Sequence, residues 1–362
     1  MRVGGPRRPR PPAAPGGLRA AAAATEARRR SGRMNERQRT HFREKGWFIV
    51  HDAVSPAALT ALNAIYDVEL AKSWDGRSLA HGWANGGMVR PEKERWGYGT
   101  GPGTNGRVLW GQPFYDLVDN SKVVPILEEL LGHPQWHHAL PGAPEKHRKS
   151  FFMDHDNTHF SSPFDPENRA AFQGKQGGPE TFNQTETWTP DGLVRGGIHG
   201  GPPADSAGNK GQLGSMITVV YELLPVAPGC SGTACLSGTH NASFPRPDIA
   251  GRNLPPWPDE FGVELAQIQP GSCLIFTESM LHSTWPYSGR MQRRTLFYKY
   301  HPYGRDRHAG NYTIKYDLQP PADLGLKLTT AQRRILAWPE QWEEYGLGEY
   351  GPGVPEEQSA KL

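Results

Sequence analysis

A chain of 362 residues with 11 Trp, 12 Tyr and 13 Phe has the aromatic content of a folded core, which disordered chains lack. Its 43 Gly and 34 Pro interrupt helices too often for a helical bundle or a coiled coil and favour short strands joined by turns. The formal net charge of +3 divides unevenly, because residues 1–33 hold nine Arg and one Glu while the other 329 hold 31 basic and 36 acidic side chains. No stretch nears the roughly 18 consecutive apolar residues of a transmembrane helix. The three cysteines, Cys230, Cys235 and Cys273, form no CxxC pair and are too few for a disulfide framework. Reduced thiols in an intracellular protein are the expectation.

Residues 1–33 are Arg- and Ala-rich, poor in acids and without an apolar face to bury. They are expected to be a disordered basic leader, read equally as an organelle transit peptide or as an over-called start with Met34 as the true one. A nucleic-acid arm is disfavoured, since no aromatic residues interleave the arginines. From Met34 the segment MNERQRTHFREKG predicts a helix ending at Gly46, a natural C′ residue, and WFIVHDAV predicts a strand. Ser55 and Pro56 are an N-cap and N1 pair. They open a helix with Leu59, Leu62, Ile65 and Leu70 near 3.6 spacing. Residues 73–118 are Gly- and Trp-rich with weak periodicity, Ser121 to Leu131 reads as a helix, and 139–197 reads as an irregular polar loop or lid.

The second half changes period. Gln212 to Leu224 predicts a strand, CSGTACLSGTH a turn-rich link, VELAQI and SCLIFT two strands joined at Pro270-Gly271, and RTLFYKY a further strand. This pattern predicts an antiparallel sandwich or barrel. No GxGxxG, GxxxxGK[ST] or GxSxG lies in a strand–helix context, which argues against nucleotide-binding α/β folds and α/β-hydrolases.

Two of the 14 histidines stand out. His199, in GGIHGGPP, precedes the Gln212–Leu224 strand, and His282, in ESMLHSTW, follows SCLIFT. Imidazoles at the ends of neighbouring strands could converge on one ion, and Arg293, eleven residues after His282, could clamp a carboxylate. Arg293 and Arg294 on one strand point to opposite faces. Spacing alone leaves a shared site open. The run Asp154-His155-Asp156 with His159 reads more readily as solvated loop than as a second metal site. Trp188, Trp285 and Tyr287 suit either a pocket wall or a core.

From Met34 to about Tyr303 the chain resembles the phytanoyl-CoA dioxygenase family of Fe(II)- and 2-oxoglutarate-dependent oxygenases. NERQRTHFREKGWFIVHDAVSPAALTAL is similar to that family's opening helix, strand and helix. ELLPVAPGCSGTACLSGTHNASF resembles its L-x-D-x-x-x-x-N-G-x-L-x-x-x-P-G-S-H segment. QPGSCLIFTESMLHSTWPYSGRMQRRTLFYKY resembles its G-D-x-x-x-F-x-x-x-x-x-H-x-S segment with Arg eleven residues on. The resemblance implies a mainly β fold with flanking helices, a double-stranded β-helix or jelly roll, as one oxygenase domain over 34–362. It implies a facial triad for Fe(II), with His199 and His282 as ligands. Arg293 would hold the distal carboxylate of 2-oxoglutarate, Thr284 would add a hydroxyl, and His240 would be structural. The implied reaction uses O₂ to hydroxylate a C–H bond of a small organic or lipid-like substrate. The residues themselves lead to the expectation of no nucleic-acid partner, no transmembrane segment and an intracellular location, cytoplasmic, or organellar if residues 1–33 are a transit peptide.

One position departs. The family pattern is His-x-Asp, and here it reads His199-Gly200-Gly201. Three readings stand open. Another group, with Asp205 the nearest downstream carboxylate, fills the place; or chloride binds beside Gly201, as in related iron halogenases; or the chain is a non-catalytic jelly-roll binding module.

Overall fold

Asn35 opens the first helix, α1 (Glu36–Lys45), with a reciprocal cap. Its Oδ1 accepts from Gln38 N at 2.9 Å, and Gln38 Oε1 accepts from Asn35 N at 2.9 Å. Gly46 closes the helix at φ 84°, donating to Phe42 O at 2.9 Å. The chain then turns directly into β1 (Trp47–Val50). The hydroxyl of Ser55 accepts from Ala58 N at 3.2 Å and caps α2 (Pro56–Ala71) as predicted. The computed structural model describes residues 33–71, 81–85, 111–131, 151–161, 187–188, 194–195, 216–226, 232–241, 263–285, 292–302 and 325–336. Its remaining elements are β2 (His81–Asn85), α3 (Gln112–Tyr115), α4 (Val124–Leu131), β3 (Phe151–Ser161), β4 (Thr187–Trp188), β5 (Val194–Arg195), β6 (Ile217–Glu222), β7 (Gly232–Leu236), β8 (Val263–Ala266), β9 (Cys273–Thr277), β10 (His282–Trp285), β11 (Arg293–Pro302) and α5 (Thr330–Leu336).

Two antiparallel sheets carry the fold. The larger has the order β1-β9-β6-β11-β3-β2, the smaller β10-β7-β8, and β4 pairs with β5. From β6 onward the chain alternates between them: β6 in the larger, β7 and β8 in the smaller, then β9, β10 and β11 in larger, smaller and larger. That winding, with β3 beside β11, is the double-stranded β-helix, a mainly β jelly roll with helices outside.

β6 and β9 of the larger sheet are buried along their whole length, so their sequences run apolar with little alternation. On the outer face Val219, Tyr221, Ile275, Leu296, Tyr298 and Tyr300 share one core with Phe42, Leu62, Tyr66 and Leu127 of the helices. On the inner face Val220, Leu274, Phe276 and Phe297 pack with Cys235 and Ala266 of the smaller sheet. The hydroxyls of Tyr298 and Tyr300 donate to Phe114 O at 2.9 Å and Val118 O at 3.3 Å, which fixes the α3 turn on the sheet.

Two expectations are corrected. Within the supposed loop 139–197, Phe151–Ser161 forms an 11-residue strand pairing with both β11 and β2. Its sequence, FFMDHDNTHFS, lacks apolar alternation because it places polar residues along a strand. The supposed link CSGTACLSGTH contains β7, whose Gly, Thr, Ala and Cys are small because that strand lies buried in the roll. Residues 1–32, Cys230, His199, Gly201, Asp205 and Tyr287 lie outside the described residues. Among the described residues no helix is long and apolar enough to cross a membrane.

Candidate active site

The chain leaves β9 in the larger sheet and enters β10 in the smaller through Glu278–Leu281, and this crossing is pinned on both sides. Thr277 N donates to Gly46 O at 3.0 Å, Glu278 N to Met216 O at 3.0 Å, and Met280 N to Thr277 O at 2.9 Å. Leu281 N donates to Thr239 Oγ1 at 2.9 Å, while Leu281 O accepts from Leu236 N at 2.9 Å. His282 follows at once, opposite Cys235. Its ring lies 4.6 Å from that of Phe276 and is 9% exposed. Nδ1 faces Met280 O at 2.9 Å, so it carries the hydrogen and donates it. That contact fixes the ring's orientation and leaves Nε2 facing Glu278 Oε2 at 3.7 Å.

Glu278 is the first residue past β9, and its carboxylate meets Thr218 and Lys299 of the larger sheet. Its Oε1 takes Lys299 Nζ at 3.0 Å and the hydroxyl of Thr218. Thr218 and Lys299 are register partners on β6 and β11. Burial alone would raise the Glu278 carboxyl, but the Lys299 and His282 charges and the hydrogen bonds from Thr218 and Lys299 pull it well below the usual carboxylate range. Burial pushes the His282 imidazole down, against the opposing pull of Glu278 and the Met280 carbonyl. The site therefore combines a fixed imidazole, an ionised carboxylate and an ammonium at one end of the roll.

A second polar group lies further along β11. Arg293 donates to Glu222 Oε1 from Nε at 3.1 Å and Nη2 at 2.6 Å, and Thr295 Oγ1 donates to Glu222 Oε2 at 2.8 Å. Arg293 and Glu222 are each about 2% exposed. The Thr295–Glu222 level lies four residues from Lys299, about 13 Å of strand, with Phe297 and Val220 between. Lys299, rather than Arg293, is thus the cation that the described contacts bring to His282. Arg294 takes the opposite face, as strand alternation predicts. It pairs with Asp67, donates to Asn63 O at 3.1 Å and stacks 5.0 Å above the Tyr66 ring.

Thr284 lies on β10 opposite Thr233, within the described backbone. His240 is fully buried and its Nε2 meets Arg43 O at 3.1 Å, at the end of α1. Glu278, Lys299 and Glu222 are not singled out by motif. For Lys299 the signal is alternation counted from Arg293 along β11; Glu278 is found only through its contacts in the turn after β9. Among the described residues no three His, Cys, Asp or Glu side chains group closely enough to hold a metal.

No family model matches the sequence, and no curated protein matches it significantly. Solved structures do. HygX from Streptomyces hygroscopicus, crystallised with nickel and 2-oxoglutarate, is 11% identical, covering 75% of this chain and 88% of its own at a TM-score of 0.43. The non-heme alpha ketoglutarate dependent epimerase SnoN from nogalamycin biosynthesis is 13% identical, covering 85% and 96% at 0.44. The carbocyclase SnoK from the same biosynthesis is 14% identical, covering 74% and 84% at 0.41. The fold itself is read from this chain's strand order: a double-stranded β-helix that carries an imidazole, a carboxylate and an ammonium where the chain crosses between its sheets.

Proposed function

We propose that the protein is a non-heme Fe(II)- and 2-oxoglutarate-dependent oxygenase that hydroxylates a C–H bond of a small organic or lipid-like substrate. The observation that carries this reading is His282. It sits on a crossing pinned by backbone bonds, it is oriented through Nδ1 by a carbonyl, and it presents Nε2 to a carboxylate oxygen 3.7 Å away. A metal-ligating histidine has this environment. The donor set, nitrogen with carboxylate oxygen, suits a divalent first-row metal.

His199 and His282 are the proposed protein ligands. Bound iron, with 2-oxoglutarate and O₂, supplies the oxidising power for C–H cleavage. The chain's own residues position and shield. Met280 O keeps the His282 ring in place, while Phe276, Leu274 and Phe297 keep water from the inner wall of the roll. The distal carboxylate of 2-oxoglutarate needs a cation. The resemblance assigns it to Arg293 with Thr284, and Arg293 would have to exchange Glu222 for the co-substrate. Lys299 already stands at the His282 end. Gly201 supports a second reading, halide transfer, in which chloride occupies the place of a carboxylate ligand.

Anaerobic addition of Fe(II) and 2-oxoglutarate is expected to give a visible charge-transfer band in the wild type, and O₂ to convert 2-oxoglutarate to succinate. His282→Ala and His199→Ala are each expected to abolish both. A folded wild type with neither band nor succinate overturns the reading. Chloride that shifts the band and appears in the product moves the assignment from hydroxylase to halogenase.

A further inference from the structure

We infer that Glu278 supplies the metal-ligating carboxylate that Gly201 cannot. The inference rests on the iron-site reading above and deepens it. A glycine in the carboxylate position offers no side-chain donor, so either the site goes without a protein carboxylate or another one reaches it. Glu278 is the carboxylate that faces the proposed ligand His282. Two ligands bound at about 2.1 Å stand roughly 3.0 Å apart at right angles and roughly 4.2 Å apart when opposed. Glu278 Oε2 and His282 Nε2 are 3.7 Å apart, wider than neighbouring ligands of a facial set, so binding one ion draws the two side chains slightly together by rotation about the Glu278 side chain.

The rest of the carboxylate is arranged accordingly. Oε1 is held by Lys299 Nζ at 3.0 Å and by the Thr218 hydroxyl, which turns Oε2 toward the imidazole. Ligating carboxylates are oriented by such outer hydrogen bonds. Both residues also belong to one short segment. Glu278 is the last residue held by the larger sheet, through Met216 O, and His282 the first held by the smaller, opposite Cys235. Their separation is therefore set by the crossing rather than by two mobile loops. The competing account makes Glu278 the counter-ion of Lys299 and nothing more. It explains Oε1 and leaves Oε2 as the partner of a His282 imidazole whose charging burial disfavours.

The test uses Co(II), which O₂ does not consume, titrated into the full-length protein by calorimetry and by its visible d–d bands. Wild type is expected to bind, and Glu278→Gln, which keeps shape and loses charge, is expected to bind on the order of 100-fold more weakly. Because that change strands Lys299, the double variant Glu278→Gln/Lys299→Met serves beside it. With both partners of the buried pair removed, it keeps the fold, checked by its melting curve, and still loses the metal. Lys299→Met alone, which removes an outer partner and no ligand, is expected to weaken Co(II) about tenfold, less than Glu278→Gln does. If wild type binds Co(II) and Glu278→Gln binds it equally well, Glu278 is no ligand and the iron reading stands without it. If the folded wild type binds neither Co(II) nor Fe(II), the iron reading fails and this inference with it.

Discussion

At the scale of single residues, the Arg293–Glu222 pair makes a demand that His282 does not. Two opposite charges, each about 2% exposed, are stable only together. Thr295 completes the acceptor set of Glu222. Arg293→Met is therefore expected to lower unfolding free energy in urea by about 3–5 kcal/mol, because it leaves a buried carboxylate with one hydroxyl. Arg293→Met/Glu222→Met is expected to recover most of that loss. A single variant as stable as wild type would show that the pair contributes nothing. The double variant also isolates the co-substrate question in a protein that still folds. Loss of 2-oxoglutarate binding there puts the distal carboxylate on Arg293, and unchanged binding passes it to Lys299.

At the scale of elements, the junction of α1 and β1 shows how local backbone chemistry positions the site. Gly46 sits at φ 84°, and its carbonyl receives Thr277 N at 3.0 Å, one residue before Glu278. A Cβ built on Gly46 would lie 2.7 Å from His240 Nδ1. Gly46→Ala thus meets two separate penalties, about 1–2 kcal/mol for a left-handed residue and a further steric one against a buried ring. Denaturant midpoints are expected to show a total above about 2 kcal/mol, falling to the backbone part alone in a His240→Ala background. A Gly46→Ala cost that is the same in both backgrounds would remove His240 from the account. The sequence made this junction legible because helix caps and glycine stops are local signals. It made β6 and β9 legible because strands buried on both faces read as continuous apolar runs, and β11 because its run alternates in part. It hid β3 and β7 for the opposite reason. Polar residues on β3 and small residues on β7 carry no periodic apolar signal, and only the sheets they join explain them. His282 was legible from its place after an apolar strand. Glu278 was not, because it ligates nothing by motif and acquires meaning only when β9, β6 and β11 bring Thr218 and Lys299 to it.

At the scale of the whole molecule, the roll is closed by its first helix. Met34 is 5% exposed and belongs to the outer core, Asn35 caps α1, and Lys45 O receives Gly238 N at 3.1 Å from beyond β7. Met34 and α1 are thus part of the packed structure, while the segment before Met34 holds nine of the chain's 40 basic side chains and one acidic one, a local net charge of +8. A chain beginning at Met34 is expected to unfold within about 1 kcal/mol of the full chain, the difference being the new amino terminus beside the positive end of the α1 dipole. Its formal charge changes from +3 to −5, so it should bind an anion exchanger at neutral pH where the full chain does not. Removing three residues more is a different operation. It deletes Met34, worth about 1.5–3 kcal/mol of apolar burial, and the Asn35 cap, worth about 1 kcal/mol. Urea titration of the two truncations therefore separates leader from fold: a small step for the first, a loss of about 3 kcal/mol for the second. If the Met34 chain instead loses more than about 2 kcal/mol, residues before Met34 pack on the roll, and the boundary drawn from charge and composition is in the wrong place.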